Sequence, residues 1–233
     1  MMPVMSSPYT IEPPCAHNSL LEDDLECFVR CAGCYYRKCG NPHQNGWRQA
    51  VQHALDQVVR DIYSLPAKAR TMIHVRNSME RHWPEITDGF LSSQQHEQYR
   101  KAANKYMMLF LTQELGIAKP FYLCQPVSVY VDELGLELTM MQQVVEWQQS
   151  ELVIRKYISS ANVEVVNAYS HLSVVFAHKV FQQLPSRIEV YSVLTGKTYE
   201  VRPGPEDLPL SIDYLRLSAG LMKEDMDSPR LYQ

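Results

Sequence analysis

The spacing of the apolar residues changes once along this chain, near residue 120, and this change limits the fold more than any other feature. Before that point apolar residues recur every three or four positions, which is the spacing of one helical face. After it come short β-rich runs that are separated by turn residues. A length of 233 residues suits one domain, so we expect an α/β fold over 20–225, with helices before a mixed central sheet of about five strands.

The same spacing, together with the breaks between segments, places the individual helices and strands. Asn45-Gly46, Pro66 and Trp83-Pro84 interrupt the helical half. The predicted order is helices over 45–65, 67–82 and 92–115, strands over 121–131, 136–147 and 152–158, a buried helix over 163–183, strands over 187–194 and 197–201, and a closing helix over 207–223. The strands at 138–146 and 152–158 should be adjacent and antiparallel, with the helix after Val163 beside them.

Composition indicates an ordinary globular protein rather than a membrane protein. Hydrophobic residues make up 45% and charged residues 21%, and no apolar run approaches the roughly 20 residues that cross a bilayer. Residues 1–14 hold four prolines and no basic residue, unlike a signal peptide. We therefore expect a cytoplasmic protein without a membrane partner, a loose N-terminal arm over 1–19 and a C-terminal tail over 226–233.

The net charge of −4 gives the whole chain no attraction to nucleic acid. Residues 68–105 nevertheless carry seven Lys and Arg against four Asp and Glu. This local excess is compatible with contacts to phosphates and also with an ordinary solvated helical face.

Four cysteines lie close together, at positions 27, 31, 34 and 39. Thiolates at this spacing suit an iron–sulfur cluster or a tetrahedral zinc ion, with Cys27, Cys31, Cys34 and Cys39 as ligands. The alternative is structural, because residues 27, 31 and 34 would lie on one buried face of a helix. The triplet followed by Tyr35 also resembles the cluster motif of radical S-adenosylmethionine enzymes, which implies a barrel that the predicted order of elements does not match.

The segment Leu25–Lys38 reads L-E-C-F-V-R-C-A-G-C-Y-Y-R-K, and Ala50–Asp56 reads A-V-Q-H-A-L-D. Both resemble the opening motifs of the PD-(D/E)XK nuclease superfamily, in the RecB-like branch that includes CRISPR adaptation exonucleases and helicase-associated nucleases. The histidine of the second motif is displaced by one place, to His53. The resemblance covers roughly Leu20–Lys223 and implies a restriction-endonuclease-like fold, DNA as a partner, and a helicase or nuclease subunit as a second partner.

The residues that such nucleases need for catalysis are missing at the matching positions. Family members place an Asp on the second core strand and an acid-x-Lys pair on the third, where two carboxylates hold Mg²⁺ or Mn²⁺ beside the scissile phosphate. Here the match puts Gln143 at the position of the Asp, Arg155 at the position of the acid and Tyr157 at the position of the lysine. None of the nine lysines follows an acid by two residues. The resemblance therefore implies a degenerate nuclease that serves as a DNA-binding or scaffolding subunit.

Two further hypotheses concern individual residues. An active nuclease with displaced ligands would use Glu146 and Lys156 together with Mg²⁺ or Mn²⁺. Tyr35 and Tyr36 have side chains that can stack on bases, although aromatic residues more often serve in packing. With Arg37 and Lys101 they make up the predicted nucleic-acid contacts.

Overall fold

A computed structural model describes residues 19–38, 46–85, 89–113 and 119–224. The helices are α1 (Glu22–Arg30), α2 (Ala32–Lys38), α3 (Gly46–Ser64), α4 (Met72–His82), α5 (Ser93–Gln113), α6 (Val163–Phe181) and α7 (Asp207–Glu224). The strands are β1 (Ser19–Leu21), β2 (Tyr122–Val131), β3 (Leu136–Gln148), β4 (Glu151–Ile158), β5 (Arg187–Ser192) and β6 (Lys197–Val201). Most of the predicted arm and tail lies outside the described residues.

In the described part of the chain, six strands form one mixed sheet. Strands β2, β3 and β4 make an antiparallel meander. This confirms the prediction that the strands at 138–146 and 152–158 are adjacent and antiparallel. Helix α6 then carries the chain to β5, which is parallel to β4, and β6 returns antiparallel to β5. The sheet has one strand more than the predicted five, because β1 adds to β3 in parallel over three residues. An open sheet with an antiparallel meander is not the barrel that a radical enzyme implies.

Both faces of the sheet are covered, and each face has its own hydrophobic core. Helices α1, α6 and α7 contribute to one core, with Leu172 and Phe176 at its centre. Helices α3, α4 and α5 contribute to the other, which includes Val58 and Met107. Helix α6 is apolar on nearly every side because it lies between the sheet and α7.

The helix predicted over 67–82 begins five residues later than expected, at Met72. Residues 67–69 form a single 3₁₀ turn instead. The reason lies at Arg70, whose buried guanidinium donates hydrogen bonds to the carbonyl oxygens of Tyr63 and Leu65. Arg70 thereby satisfies carbonyl groups at the end of α3 that have no partner within the helix.

Among the described helices, none combines the length with the apolar character that a membrane span requires.

Candidate functional site

The central strands β3 and β4 pair over only part of their length and then separate. We call the place where they separate, beside residues 140–143 of β3 and residues 156–159 at the end of β4, the fork. Their register runs from Gln148 opposite Glu151 to Val144 opposite Arg155, and no pairing follows beyond Arg155. Farther along the same edge of β3, β1 pairs with residues 137–139. A gap is therefore left beside residues 140–143 of β3, and the backbone groups that face it need other partners.

Two glutamine side chains fill this gap by bonding backbone groups at the end of β4 that have no partner on β3. Gln143 on β3 accepts a hydrogen bond from the Tyr157 backbone N–H at 2.5 Å and donates one to the Tyr157 carbonyl oxygen at 2.9 Å. Gln52 on α3 also donates to the Tyr157 carbonyl at 2.9 Å, and accepts from the backbone N–H of Ser159 at 3.0 Å. The two carboxamides thus replace the missing strand pairing and attach α3 to the fork.

Asp56 lies one helical turn after Gln52 and accepts from the amide groups of both glutamines. Burial raises the pKa of the Asp56 carboxyl, and the Lys156 charge and the two amide donors offset this only in part. The Asp56 carboxyl therefore retains its proton to higher pH than an exposed aspartate does.

A buried ion pair closes the other side of the gap. The Lys156 Nζ lies 2.5 Å from the Glu22 Oε1, and the two side chains are only 6% and 8% exposed. The second Glu22 oxygen accepts a hydrogen bond from the backbone N–H of Met141 at 2.8 Å. Burial alone would lower the pKa of Lys156, but the neighbouring Glu22, which contributes most, and Tyr169 and Asp56 raise it overall, so the lysine is charged. Burial raises the pKa of Glu22, and Lys156 opposes that shift.

An open cleft with a volume of about 320 Å³ lies above the fork, between α1 and α3. Its charged lining consists of Asp23, Glu26, Asp56, Arg30, Arg48 and Lys156. Arg30 is bound to Glu26 at 2.8 Å and to the Ser160 carbonyl oxygen. Among the described residues no carboxylate lies within ion-pair distance of Arg48, whose guanidinium instead lies 4.9 Å from the ring centroid of Trp47. Burial and the charge of Arg30 lower the pKa of Arg48.

A second charged group lies on the α3 face of the sheet. Arg155 bonds Glu146 on β3 and, at 2.6 Å, Glu189 on β5. The hydroxyl of Tyr191 also donates to Glu189, at 2.8 Å. The side chains of Arg155 and Glu146 are 3% and 1% exposed, so Glu146 is neutralised inside the protein rather than presented to solvent.

The structure does not bring the two displaced catalytic candidates, Glu146 and Lys156, together. Arg155 and Lys156 are neighbours on β4, so their side chains point to opposite faces of the sheet. Glu146 bonds Arg155 on one face. Lys156 contacts Glu22 and Tyr169 on the other. Of the positions predicted to be degenerate, Gln143 and the Tyr157 backbone meet at the fork. The Tyr157 hydroxyl points away from the fork and bonds the Tyr63 hydroxyl at 3.0 Å.

Three of the four cysteines proposed as metal ligands are described, and all three are partly buried. They do not share one helix, because the helix ends at Arg30 and restarts at Ala32, with Cys31 extended at φ −165° and ψ 94°. In the described part of the chain no three Cys, His, Asp or Glu side chains come together as metal ligands. Cys39 lies outside it, so the cysteine site stays a prediction.

The residues proposed to contact nucleic acid lie in different parts of the molecule. Tyr35 is only 8% exposed and packs edge-on against Phe28. The Tyr36 hydroxyl donates to the Leu221 carbonyl oxygen on α7. Lys101 is exposed on α5 beside Glu97, on the other face of the sheet, and the Arg37 side chain is not described. Tyr35 therefore serves in packing, and the other proposed nucleic-acid contacts stay predictions.

Sequence reasoning overlooked Glu22, Gln52 and Asp56. The resemblance had directed attention to His53, but His53 is exposed and Gln52 faces the fork in its place. Gln52 and Asp56 are four residues apart on one helical face, and that spacing is the signal that could have identified them. Nothing in the local sequence around Glu22 indicates a partner 134 positions away, at Lys156.

Comparison of the chain with models of known protein families and with curated proteins found no significant match. The resemblance to RecB-like nucleases therefore stays a prediction from residues 25–38 and 50–56.

Proposed function

We propose that this protein is a catalytically degenerate nuclease-like subunit that binds DNA in the cleft between α1 and α3 and works beside a helicase or nuclease that supplies catalysis. The observation that best supports the proposal is the pair of carboxamides at the fork, Gln52 and Gln143. Gln143 stands at the position where the resemblance implies a metal-binding Asp, and an uncharged amide replaces that carboxylate.

The hydrogen bonds at the fork make metal-dependent catalysis there unfavourable. Mg²⁺ prefers anionic oxygen ligands, whereas each glutamine oxygen already accepts a backbone N–H, from Tyr157 or Ser159. Asp56 is the one carboxylate bonded to these amides among the described residues, and burial favours its neutral form. Lys156 is held by Glu22, so its charge is compensated before any phosphate arrives.

The cleft retains features that suit a nucleic-acid strand. Arg48 has its guanidinium in the cleft and no acidic partner in the described part of the chain. Arg30 and Lys156 add positive charge, but Glu26 and Glu22 compensate these two cations, and Asp23 adds a negative charge to the lining. We therefore expect weak binding with a shallow salt dependence, since few counterions would be released, and a partner subunit that supplies most of the affinity.

An active nuclease is the second candidate, because Asp23, Asp56 and Lys156 open onto the same cleft. It would require the described carboxylates to move, since no three of them are grouped as metal ligands in this part of the chain.

The deciding experiment combines binding and cleavage on the same samples. End-labelled single- and double-stranded DNA would be incubated with the protein and Mg²⁺ or Mn²⁺, and binding would be measured by fluorescence anisotropy at several salt concentrations. We expect no cleavage, weak binding that depends only slightly on salt concentration, and weaker binding for Arg48→Ala. Arg76→Ala is the matched control, because Arg76 is exposed on α4 and paired with Glu80.

Metal-dependent cleavage that disappears in Asp56→Asn would establish the active nuclease instead. Equal binding by wild type, Arg48→Ala and Arg76→Ala would refute the cleft as the DNA site.

A further inference from the structure

The last helix, α7, exposes a row of large apolar side chains on the side away from the protein. Leu210, Leu217 and Leu221 are 57%, 69% and 54% exposed. The opposite side of α7, with Ser211, Leu215 and Met222, is buried. Three exposed leucines on one helical face are unusual for a surface that only meets water.

The exposed row has the spacing of a coiled-coil seam. Leu210, Tyr214, Leu217 and Leu221 follow one another at intervals of four, three and four residues, and we call these four residues the α7 seam. Tyr214 is fixed at its margin, because its ring stacks on His171 of α6 with centroids 4.4 Å apart. At Gly220, beside the seam, an added Cβ would meet no atom of the described residues within 4 Å, so this part of the chain leaves the flank of the seam uncovered as well.

We propose that the α7 seam is a homodimer interface, in which a second copy of this chain packs its own α7 antiparallel to the first. The intervals of the α7 seam, which are four, three and four residues, are the same whether the helix is followed from its N-terminus or from its C-terminus. An antiparallel pair therefore places Leu210 opposite Leu221 of the second copy, and Tyr214 opposite Leu217, as a twofold interface requires.

The charges beside the seam favour the same partner. Asp213 and Arg216 are exposed on one flank and pair with each other within the helix. In the antiparallel arrangement, Asp213 of each copy comes within reach of Arg216 of the other, and the twofold axis repeats the contact. A second copy is thus complementary to the α7 seam in both apolar pattern and charge.

The seam is short, so the dimer should be weak. From Leu210 to Leu221 it covers about 17 Å of helix. One helix pair of that length buries less than the roughly 1,200 Å² of a standard interface, so we expect a dissociation constant on the order of micromolar. The inference does not depend on the proposed function.

Sedimentation velocity of the full chain, at concentrations on the order of 1 to 200 µM, tests the proposal. Wild type should shift from monomer to dimer across this range. Leu217→Glu should remain monomeric throughout, and Leu217→Ala should weaken association at least about tenfold. Leu91→Glu is the control, because Leu91 is 85% exposed and outside α7. A wild type that is monomeric throughout, or a dimer that Leu217→Glu leaves intact, would overturn the proposal.

A charge exchange tests the antiparallel arrangement itself. Asp213→Arg and Arg216→Asp should each weaken self-association, because like charges then meet across the twofold axis. An equimolar mixture of the two variants should associate better than either alone, since both contacts become complementary again. Association of the mixture no stronger than that of the separate variants would contradict the arrangement.

Discussion

Lys156 and Glu22 form a buried ion pair that attaches α1 to the centre of the sheet, with the Lys156 Nζ 2.5 Å from the Glu22 Oε1. The pair spans the gap where β3 and β4 separate, and Glu22 also accepts the Met141 backbone N–H. Together with Gln52 and Gln143 it closes the fork on both sides of β4.

Removing one partner of this pair should be costly. In Lys156→Met the Glu22 carboxylate would remain buried without its cation, and we expect a loss of about 3–5 kcal/mol in the free energy of unfolding. The double change Glu22→Gln with Lys156→Met should recover most of that loss. Urea denaturation provides the measurement. Glu80→Gln, in the exposed pair with Arg76, is the control and should cost less than about 1 kcal/mol. Equal effects of Lys156→Met and Glu80→Gln would refute this prediction.

The raised pKa of Asp56 should give stability a dependence on pH. Because burial raises this pKa above its ordinary value of 3.8, the folded protein binds the Asp56 proton more tightly than the unfolded chain does. Asp56 therefore contributes stability at acidic pH that is lost as pH rises through its folded pKa. Relative to wild type, Asp56→Asn should gain free energy of unfolding as pH rises from about 4 to 8.

The measurement for Asp56 is urea denaturation at a series of pH values. Asp132→Asn is the control, since the Asp132 side chain is 85% exposed. If the difference between Asp56→Asn and wild type stays constant across the series, the Asp56 carboxyl is not the titrating group.

Gln143 should not tolerate a carboxylate. Its amide nitrogen donates to both the Tyr157 carbonyl oxygen and Asp56, so Gln143→Glu would place a negative charge against two acceptors. We expect a loss of about 3 kcal/mol in the free energy of unfolding, because a charged group and its former acceptors are left unsatisfied. Gln125→Glu, at an exposed position of β2, should change it by less than about 0.5 kcal/mol. Comparable stability of the two variants would show that the fork does not need the amide.

Two turn glycines should differ in their response to alanine. Gly196 and Gly135 both have positive φ, at 71° and 65°, which alanine rarely adopts. A Cβ at Gly196 would also overlap the Tyr106 ring, whereas one at Gly135 meets no atom of the described residues within 4 Å. Gly135→Ala should cost about 1 kcal/mol, and Gly196→Ala at least about 1 kcal/mol more, because Tyr106 must move. Thermal denaturation of both variants is the check, and equal melting temperatures would contradict it.

The local spacing of apolar residues was enough to predict most of the elements. Val51, Leu55, Val58 and Ile62 show the helical face of α3 directly, and all four are buried. The strands predicted over 121–131 and 136–147 likewise correspond to β2 and β3. Such predictions succeed because the period of a helix or strand is a local property of the chain.

The elements that were mispredicted depend on contacts from far along the chain. Strand β1 has three residues and no readable period, and β3 supplies its pairing. The late start of α4 follows from the buried hydrogen bonds of Arg70 to the end of α3.

By itself the sequence determined the order of helices and strands from α3 onward, though not β1, α1 and α2 before it, and the absence of an acid-x-Lys pair. Only the tertiary structure decided which polar groups meet, such as Lys156 with Glu22 and Arg155 with Glu146 and Glu189. The physical reason is that strand register and helix docking set these distances, and both arise from long-range packing that no local pattern encodes.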